Sequence, residues 1–125
     1  LDSAPSSVAI LSKIRAALDP AYPLIFDSGV RQGEDIVKAL ALGANFVMLG
    51  RPVMFALAAG GGLGLGEYLD EMTSEVSATM AQIGACSVSE ITRECLFAPE
   101  PDSAPLAQDN ISDIWTEQHK TGGHR

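Results

Sequence analysis

The stretch IFDSGVRQGEDIVKALALGANFVMLGRP, from Ile25 to Pro52, contains two apolar segments that are each followed by a glycine and an arginine. The first segment leads into residues 29–31 (Gly-Val-Arg) and the second into residues 50–52 (Gly-Arg-Pro). Between them, apolar residues recur at helical spacing over about residues 34–42, and Gly43 follows where a C-terminal cap belongs. This pattern predicts a strand, a helix and a second strand, with both glycine-arginine turns at the same edge of a parallel sheet.

The segments on either side of this stretch continue the alternation of helices and strands. The predicted elements are a helix over residues 7–18, strands over 23–26 and 46–49, helices over 34–42 and 53–59, and a long helix from about residue 65 to Gly84. The strand over 46–49 is apolar throughout, as is typical of a strand covered on both faces. The glycine-rich segment 60–66 is predicted to be a flexible connector.

Polar residues define the rest of the predicted organisation. The long helix carries four acids that are expected to form a solvated face: Glu67, Asp70, Glu71 and Glu75. Ser87 and Glu90 have capping-box spacing and predict one further short helix. Residues 97–125 begin with a proline-rich acidic segment and are expected to form an exposed tail. Its helical part around Trp115 is as well explained by docking onto the body or a neighbouring subunit as by disorder.

Composition bounds the class of protein. The chain has 125 residues, 46% of them hydrophobic, and a formal charge of −8, which disfavours a nucleic-acid surface or an anionic membrane face. No apolar run approaches the roughly 18 residues of a membrane span. Cys86 and Cys95 lack metal-ligand spacing, so two free thiols, a cytoplasmic location and no metal site are expected. Leu1 stands where an initiator Met is usual, so we expect an N-terminal part to precede this chain.

The two glycine-arginine turns predict a phosphate site. Glycines allow the backbone to approach an anion, a helix N-terminus favours negative charge, and arginine adds a bidentate fork. In (β/α)8 barrels such a site is commonly built by the loops after the last two strands, beside a short extra helix. The alternative is that Arg31 and Arg51 are surface ion-pair partners. Asp27, at the end of its strand, either caps the turn or accepts a hydrogen bond from a ligand hydroxyl.

At these residues the sequence resembles the FMN-dependent α-hydroxy acid dehydrogenase and oxidase family, which includes glycolate and lactate oxidases and mandelate dehydrogenases. The family's first turn reads Asp, Gly or Ser, Gly, Ile or Val, Arg, and is followed by a DVxKALALGA helix. Its second turn is Gly-Arg-Pro or Gly-Arg-Ala. The resemblance covers residues 1–96 and implies an α/β fold, the C-terminal portion of a (β/α)8 TIM barrel from about helix 6 to helix 8.

The resemblance also implies a cofactor and a role for each matching residue. Asp27 would hold the ribityl chain of FMN, and the backbone of Gly29, Val30 and Arg31, with Gly50 and Arg51, would hold its phosphate. Ser28 belongs to the same turn. The activity implied is oxidation of a small L-2-hydroxy acid to the 2-keto acid, by a protein that is a homo-oligomer and in which peripheral membrane association is compatible with the family.

The family's catalytic histidine and carboxylate-binding arginine lie in a His-Gly-Gly-Arg-Gln stretch just before the Leu-Asp with which this chain begins. No catalytic residue is therefore expected in this segment, and His119 and His124 lie in a polar terminus unsuited to the role. The isolated chain is expected to be inactive, and its strands alone are expected to expose two sheet edges and a large apolar face. Two alternatives stay open: another phosphate-binding barrel, of the type 2 isopentenyl diphosphate isomerase or inosine monophosphate dehydrogenase type, or a non-catalytic subunit that completes a barrel.

Overall fold

The computed structural model describes residues 4–97, which form three helices and one two-stranded parallel sheet. The elements are α1 (Ser7–Ala17), β1 (Ile25–Asp27), α2 (Gly33–Ala41), β2 (Phe46–Met48), α3 (Arg51–Ile83) and two 3₁₀ turns (Val88–Glu90 and Arg93–Cys95). β1 and β2 pair in parallel, with Ile25 opposite Phe46 and Asp27 opposite Met48. The predicted order of helix, strand, helix and strand is confirmed.

Within residues 4–97, helices cover one face of the sheet, called the outer face, and the opposite face is called the inner face. Phe26 in β1 points to the outer face and is 6% exposed, and it belongs to a core that joins α1, α2 and the turn after β1. The buried members of this core are Leu11, Phe26, Val30, Ala39 and Ala44. A second core of Val37, Ala41 and Ile91 packs α2 against α3 and the last turns. The outer face of the sheet is therefore buried against the helices.

The inner face of the sheet is open in the described residues. Ile25 and Asp27 of β1 and Phe46 and Met48 of β2 alternate with the buried positions and are exposed. Phe46 is 67% exposed, as expected for this part of a barrel by itself, so the cover predicted for the second face of β2 is not supplied by the described residues. Side chains alternate between the two faces of a strand, so β2 presents apolar side chains on both faces. The described chain buries one of these faces.

The glycine-rich segment contains the join between two helices. α3, from Arg51 to Ile83, consists of two helical arms that meet at a kink, and Gly61 alone departs from helical geometry, with φ 59° and ψ −148°. The predicted short helix and long helix are present as these two arms, but the flexible linker predicted over residues 60–66 is wrong, because the break is confined to Gly61. The kink falls at Gly61 because an L-residue with a side chain rarely adopts this backbone conformation. As predicted, the helix ends at Gly84.

One of the four acids on α3 is not solvated. Glu75 is half-buried, and its Oε2 accepts a hydrogen bond of 2.6 Å from the backbone N–H of Gly33 at the start of α2. Burial raises the pKa of Tyr68 on the same helix, and the negative charges of Glu75 and Glu71 raise it further. The tyrosine hydroxyl is buried and finds no hydrogen-bond partner within residues 4–97. The prediction of a uniformly solvated acidic face is wrong at Glu75.

The capping-box pattern at Ser87 forms a single 3₁₀ turn, and not a longer helix. The Glu90 carboxylate accepts hydrogen bonds from the Cys86 N–H at 2.9 Å and from the Ser87 hydroxyl at 2.8 Å, and both lower the pKa of Glu90. Ile91 leaves helical geometry and is buried against α2. Cys86 and Cys95 are free thiols. The predicted tail, with Trp115 and both histidines, lies outside the described residues.

Candidate functional site

A cleft of about 660 Å³ opens at the carboxyl ends of β1 and β2. The seven residues proposed from the sequence to hold a cofactor all line it: Asp27, Ser28, Gly29, Val30, Arg31, Gly50 and Arg51. Three further residues complete the lining: Met48, Pro52 and Phe55. The two glycine-arginine turns thus lie at the same end of the sheet, because the strands that precede them are parallel and in register.

The turn after β1 is anchored by a buried side chain and by its backbone conformation. Val30 is buried in the core formed with Leu11 and Phe26, so its side chain anchors the turn to that core. Ser28 and Gly29 both have positive φ, at 107° and 82°. For Ser28 this is an uncommon and strained conformation, of the kind that concentrates at functional sites. The backbone here is shaped for something other than secondary structure.

Several backbone donors in the cleft are open. The N–H groups of Gly29 and Val30 donate to no acceptor within residues 4–97, and the same holds for those of Gly50 and Arg51. Gly50 is the N-cap of α3, and no side chain caps this helix end. Uncapped N–H groups at a helix N-terminus, together with the helix dipole, favour an anion.

One predicted donor is occupied. The backbone N–H of Arg31 donates to the Asp35 carboxylate at 3.0 Å, and the Gln32 N–H shares the same oxygen at 3.3 Å. Asp35 stands in the first turn of α2, where a carboxylate is stabilised by the free N–H groups. The side chain of Arg31, and not its backbone, therefore remains available to a ligand.

Neither cleft arginine has an acidic partner in the part of the chain that the structure describes. The ion pair found there joins Lys38 and Glu34 at 3.6 Å on the exposed side of α2. Arg31 and Arg51 thus form no ion pair within residues 4–97 and outnumber Asp27, the one acid that lines the cleft, which argues against the interpretation that they are surface ion-pair partners. Two cations, open N–H groups and a helix N-terminus together form a site suited to a phosphate group.

The sequence did not indicate Phe55 as part of the site. It lies one helical turn after Arg51 and so shares that residue's face of α3, which brings its ring to the cleft. The i to i+4 spacing was visible in the sequence, but it becomes informative only when Arg51 is known to face the cleft. Within residues 4–97 no group of three or more His, Cys, Asp and Glu side chains could hold a metal ion.

Comparison with known sequences places the chain in one family. The model of the FMN-dependent dehydrogenase family matches residues 1–98. The chain is 46% identical over 96 residues to L-lactate oxidase of Alicycliphilus denitrificans, covering 77% of this chain and 26% of that protein. It is 43% identical over 97 residues to glycolate oxidase 1 of Oryza sativa subsp. indica, covering 78% and 26%. It thus spans about a quarter of the length of these curated relatives.

Solved structures agree. A soluble mutant of the membrane-associated (S)-mandelate dehydrogenase from Pseudomonas putida superposes with a TM-score of 0.73 at 39% identity, covering 79% of this chain and 28% of that one. A lactate oxidase of Pediococcus acidilactici gives 0.70 at 39% identity, covering 74% and 26%. The described residues are therefore part of a (β/α)8 barrel, and the barrel interpretation of the two strands is confirmed. The relatives are hydroxy acid oxidases and dehydrogenases, so the isomerase and inosine monophosphate dehydrogenase alternative is not favoured. The chain belongs to the FMN-dependent dehydrogenase family.

Proposed function

We propose that this chain supplies the phosphate-binding part of an FMN site in an oxidoreductase that converts a small L-2-hydroxy acid to its 2-keto acid. The observation that carries the proposal is the cleft in which open N–H groups and two unpaired arginines meet at parallel strand ends. A phosphate carries two negative charges and several acceptor oxygens, which match these donors in sign and number. Membership of the FMN-dependent dehydrogenase family supports the proposal that this phosphate is that of FMN.

Each lining residue has a distinct role in this proposal. The N–H groups of Gly29 and Val30 bind the phosphate from one side, and those of Gly50 and Arg51 bind it from the other. The guanidinium groups of Arg31 and Arg51 neutralise its charge. Asp27, one residue before the turn, accepts hydrogen bonds from hydroxyls of the ribityl chain, while Ser28 maintains the positive-φ backbone. FMN, when bound, supplies the acceptor for the hydrogen removed from the substrate carbon.

The proton acceptor for the substrate hydroxyl comes from elsewhere in the protein. Residues 4–97 contain no histidine, and the family resemblance places the catalytic base in a stretch that precedes the residues matching Leu1 and Asp2. We infer that this chain functions with the remaining barrel strands, which would pair with the outer edges of β1 and β2 and cover the exposed Ile25, Phe46 and Met48. A homo-oligomeric assembly and a cytoplasmic location remain predictions. No helix in residues 4–97 is long and apolar enough to cross a membrane.

The test is a comparison of FMN with riboflavin, which is the same molecule without the phosphate. Titration followed by flavin fluorescence should show that the chain binds FMN more tightly than riboflavin. Arg51→Ala should reduce FMN affinity about 10–100-fold, since a charge-assisted hydrogen bond contributes about 1.5–3 kcal/mol. Arg93→Ala, an exposed arginine outside the cleft, is the matched control.

Equal affinities of the wild-type chain for FMN and riboflavin would refute the phosphate site. The same chain with added FMN should not bleach the flavin under anaerobic conditions with lactate, glycolate or mandelate, because no positioned base is present and such a base contributes about 10²–10⁴-fold to rate. Bleaching by the chain alone would show that the base has been misplaced. Bleaching that appears only when the rest of the barrel is present would support the inferred assembly.

A further inference from the structure

Three N–H groups at the entry to α2 are occupied by carboxylates from two different helices. Asp35 of α2 accepts from the N–H groups of Arg31 and Gln32, and Glu75 of α3 accepts from the next N–H, that of Gly33, at 2.6 Å. Three consecutive donors that could have bound an anion are therefore occupied. An anion in the cleft is left with the donors on either side, at Gly29 and Val30 and at Gly50 and Arg51.

The contact between Glu75 and Gly33 depends on very close packing. A Cβ atom at position 33 would lie 2.5 Å from the Glu75 Cβ and 2.5 Å from the Val76 backbone nitrogen, so only glycine allows α2 to begin here. The Glu75 carboxylate is half-buried in this junction. It contacts the α2 N-terminus although Glu75 and Gly33 are 42 residues apart in the sequence. The hydrogen bond thus attaches the second arm of α3 to the end of the Arg31 turn.

The same helix provides the other half of the cleft. Arg51 is the first residue of α3, and Gly50 is its N-cap. The bend at Gly61 separates the arm that starts at Arg51 from the arm that carries Glu75. The first arm therefore begins at the second glycine-arginine turn, and the second arm contacts the end of the first turn through Glu75.

We propose that Glu75 is a positioning residue for the phosphate cleft: by holding the Gly33 N–H, it fixes the end of the Arg31 turn against the second arm of α3. This inference rests on the proposed function of the cleft and adds a residue that does not line it. Glu75 acts as a hydrogen-bond acceptor in this role, and its charge is secondary. Loss of the Glu75 hydrogen bond should weaken binding of the phosphate group and leave recognition of the rest of the flavin unchanged.

Two conservative variants separate these roles. Glu75→Gln keeps an acceptor oxygen at the same distance, so its preference for FMN over riboflavin should stay within about twofold of wild type. Glu75→Asp keeps the charge but withdraws it by one methylene, so that preference should fall about tenfold. Loss of an orienting neighbour costs about 10–100-fold in metal sites, and we expect the lower end of that range here. Glu71→Asp, on an exposed position of the same helix, is the matched control and should change neither affinity.

The readout is the ratio of the two affinities, measured by fluorescence titration with the urea midpoint of each variant recorded alongside. A fall in FMN affinity of Glu75→Asp with riboflavin affinity unchanged supports the proposal. An equal fall for both ligands would show that Glu75 only stabilises the fold, and a Glu75→Gln ratio as low as that of Glu75→Asp would show that the negative charge is needed as well as the reach of the side chain. Either result would overturn the inference while the wild-type preference for FMN still supported the phosphate site.

Discussion

The two faces of the β1–β2 sheet both carry apolar side chains but differ in how far these side chains are exposed. Both present large apolar side chains, yet Phe26 on the outer face is 6% exposed and Phe46 on the inner face is 67% exposed. The outer face packs against α1 and α2, while the inner face meets no other part of residues 4–97 that buries it. The difference shows that residues 4–97 bury one of the two apolar faces of the sheet and leave the other exposed.

The candidate site lies on the boundary between these two environments. Its backbone is attached to the packed side through Val30, and its lining includes Asp27 and Met48 from the exposed face of the strands. A phosphate site can be assembled on such a boundary because its donors are backbone groups fixed by local turns. The interior of a (β/α)8 barrel, by contrast, is filled by layers of side chains from all its strands, and two strands cannot fill it.

The largest expected effect compares the two phenylalanines. Phe26→Ala should lower the free energy of unfolding of the 125-residue chain by about 3–5 kcal/mol, because it removes a ring from a packed core. Phe46→Ala should change it by no more than about 0.5 kcal/mol, because the ring is mostly in water. Urea denaturation followed by circular dichroism measures both. Equal losses in the two variants would show that the inner face is covered in solution.

A smaller effect is expected at the junction of α2 and α3, on the packed side. Gly33→Ala places a methyl group 2.5 Å from the Glu75 Cβ and the Val76 nitrogen, so the two helices must separate, at a cost of about 1–3 kcal/mol. Gly62→Ala is the matched control, since a Cβ there meets nothing within 4 Å and alanine favours the helix. Thermal melts of both variants measure the difference. An unchanged melting temperature for Gly33→Ala would mean that the junction is looser than the structure shows.

The smallest effect concerns the last turn. The pKa of Glu90 is lowered by the Cys86 N–H and the Ser87 hydroxyl, so its ionised form stabilises the fold above the ordinary glutamate pKa, and this contribution disappears as pH falls through the lowered value. Glu90→Gln should therefore be less stable than wild type above about pH 5, and the gap should close below about pH 4. Urea midpoints at pH 7 and pH 3 test this. A gap of the same size at both pH values would assign the effect to the shape of the side chain.

Much of the architecture could be predicted from local patterns. The order of helices and strands follows from apolar spacing, and the ends of α2 and α3 follow from Gly43 and Gly84. The parallel arrangement follows from a helix between two short apolar strands, and it brings both glycine-arginine turns to one edge. The family was recognisable from the same turns. These features depend on neighbours within a few residues, which a sequence displays directly.

The features that could not be predicted depend on contacts between distant residues. The confinement of the break in α3 to Gly61 and the carboxylate of Glu75 on the Gly33 N–H each reflect what the rest of the fold places beside that residue. An acid on a helix is solvated unless another helix end approaches it, and an apolar strand is buried only where a second layer covers it. Local hydrogen bonding and periodicity settle which elements form, whereas packing over long sequence separations decides which donors are occupied and which remain open to a ligand.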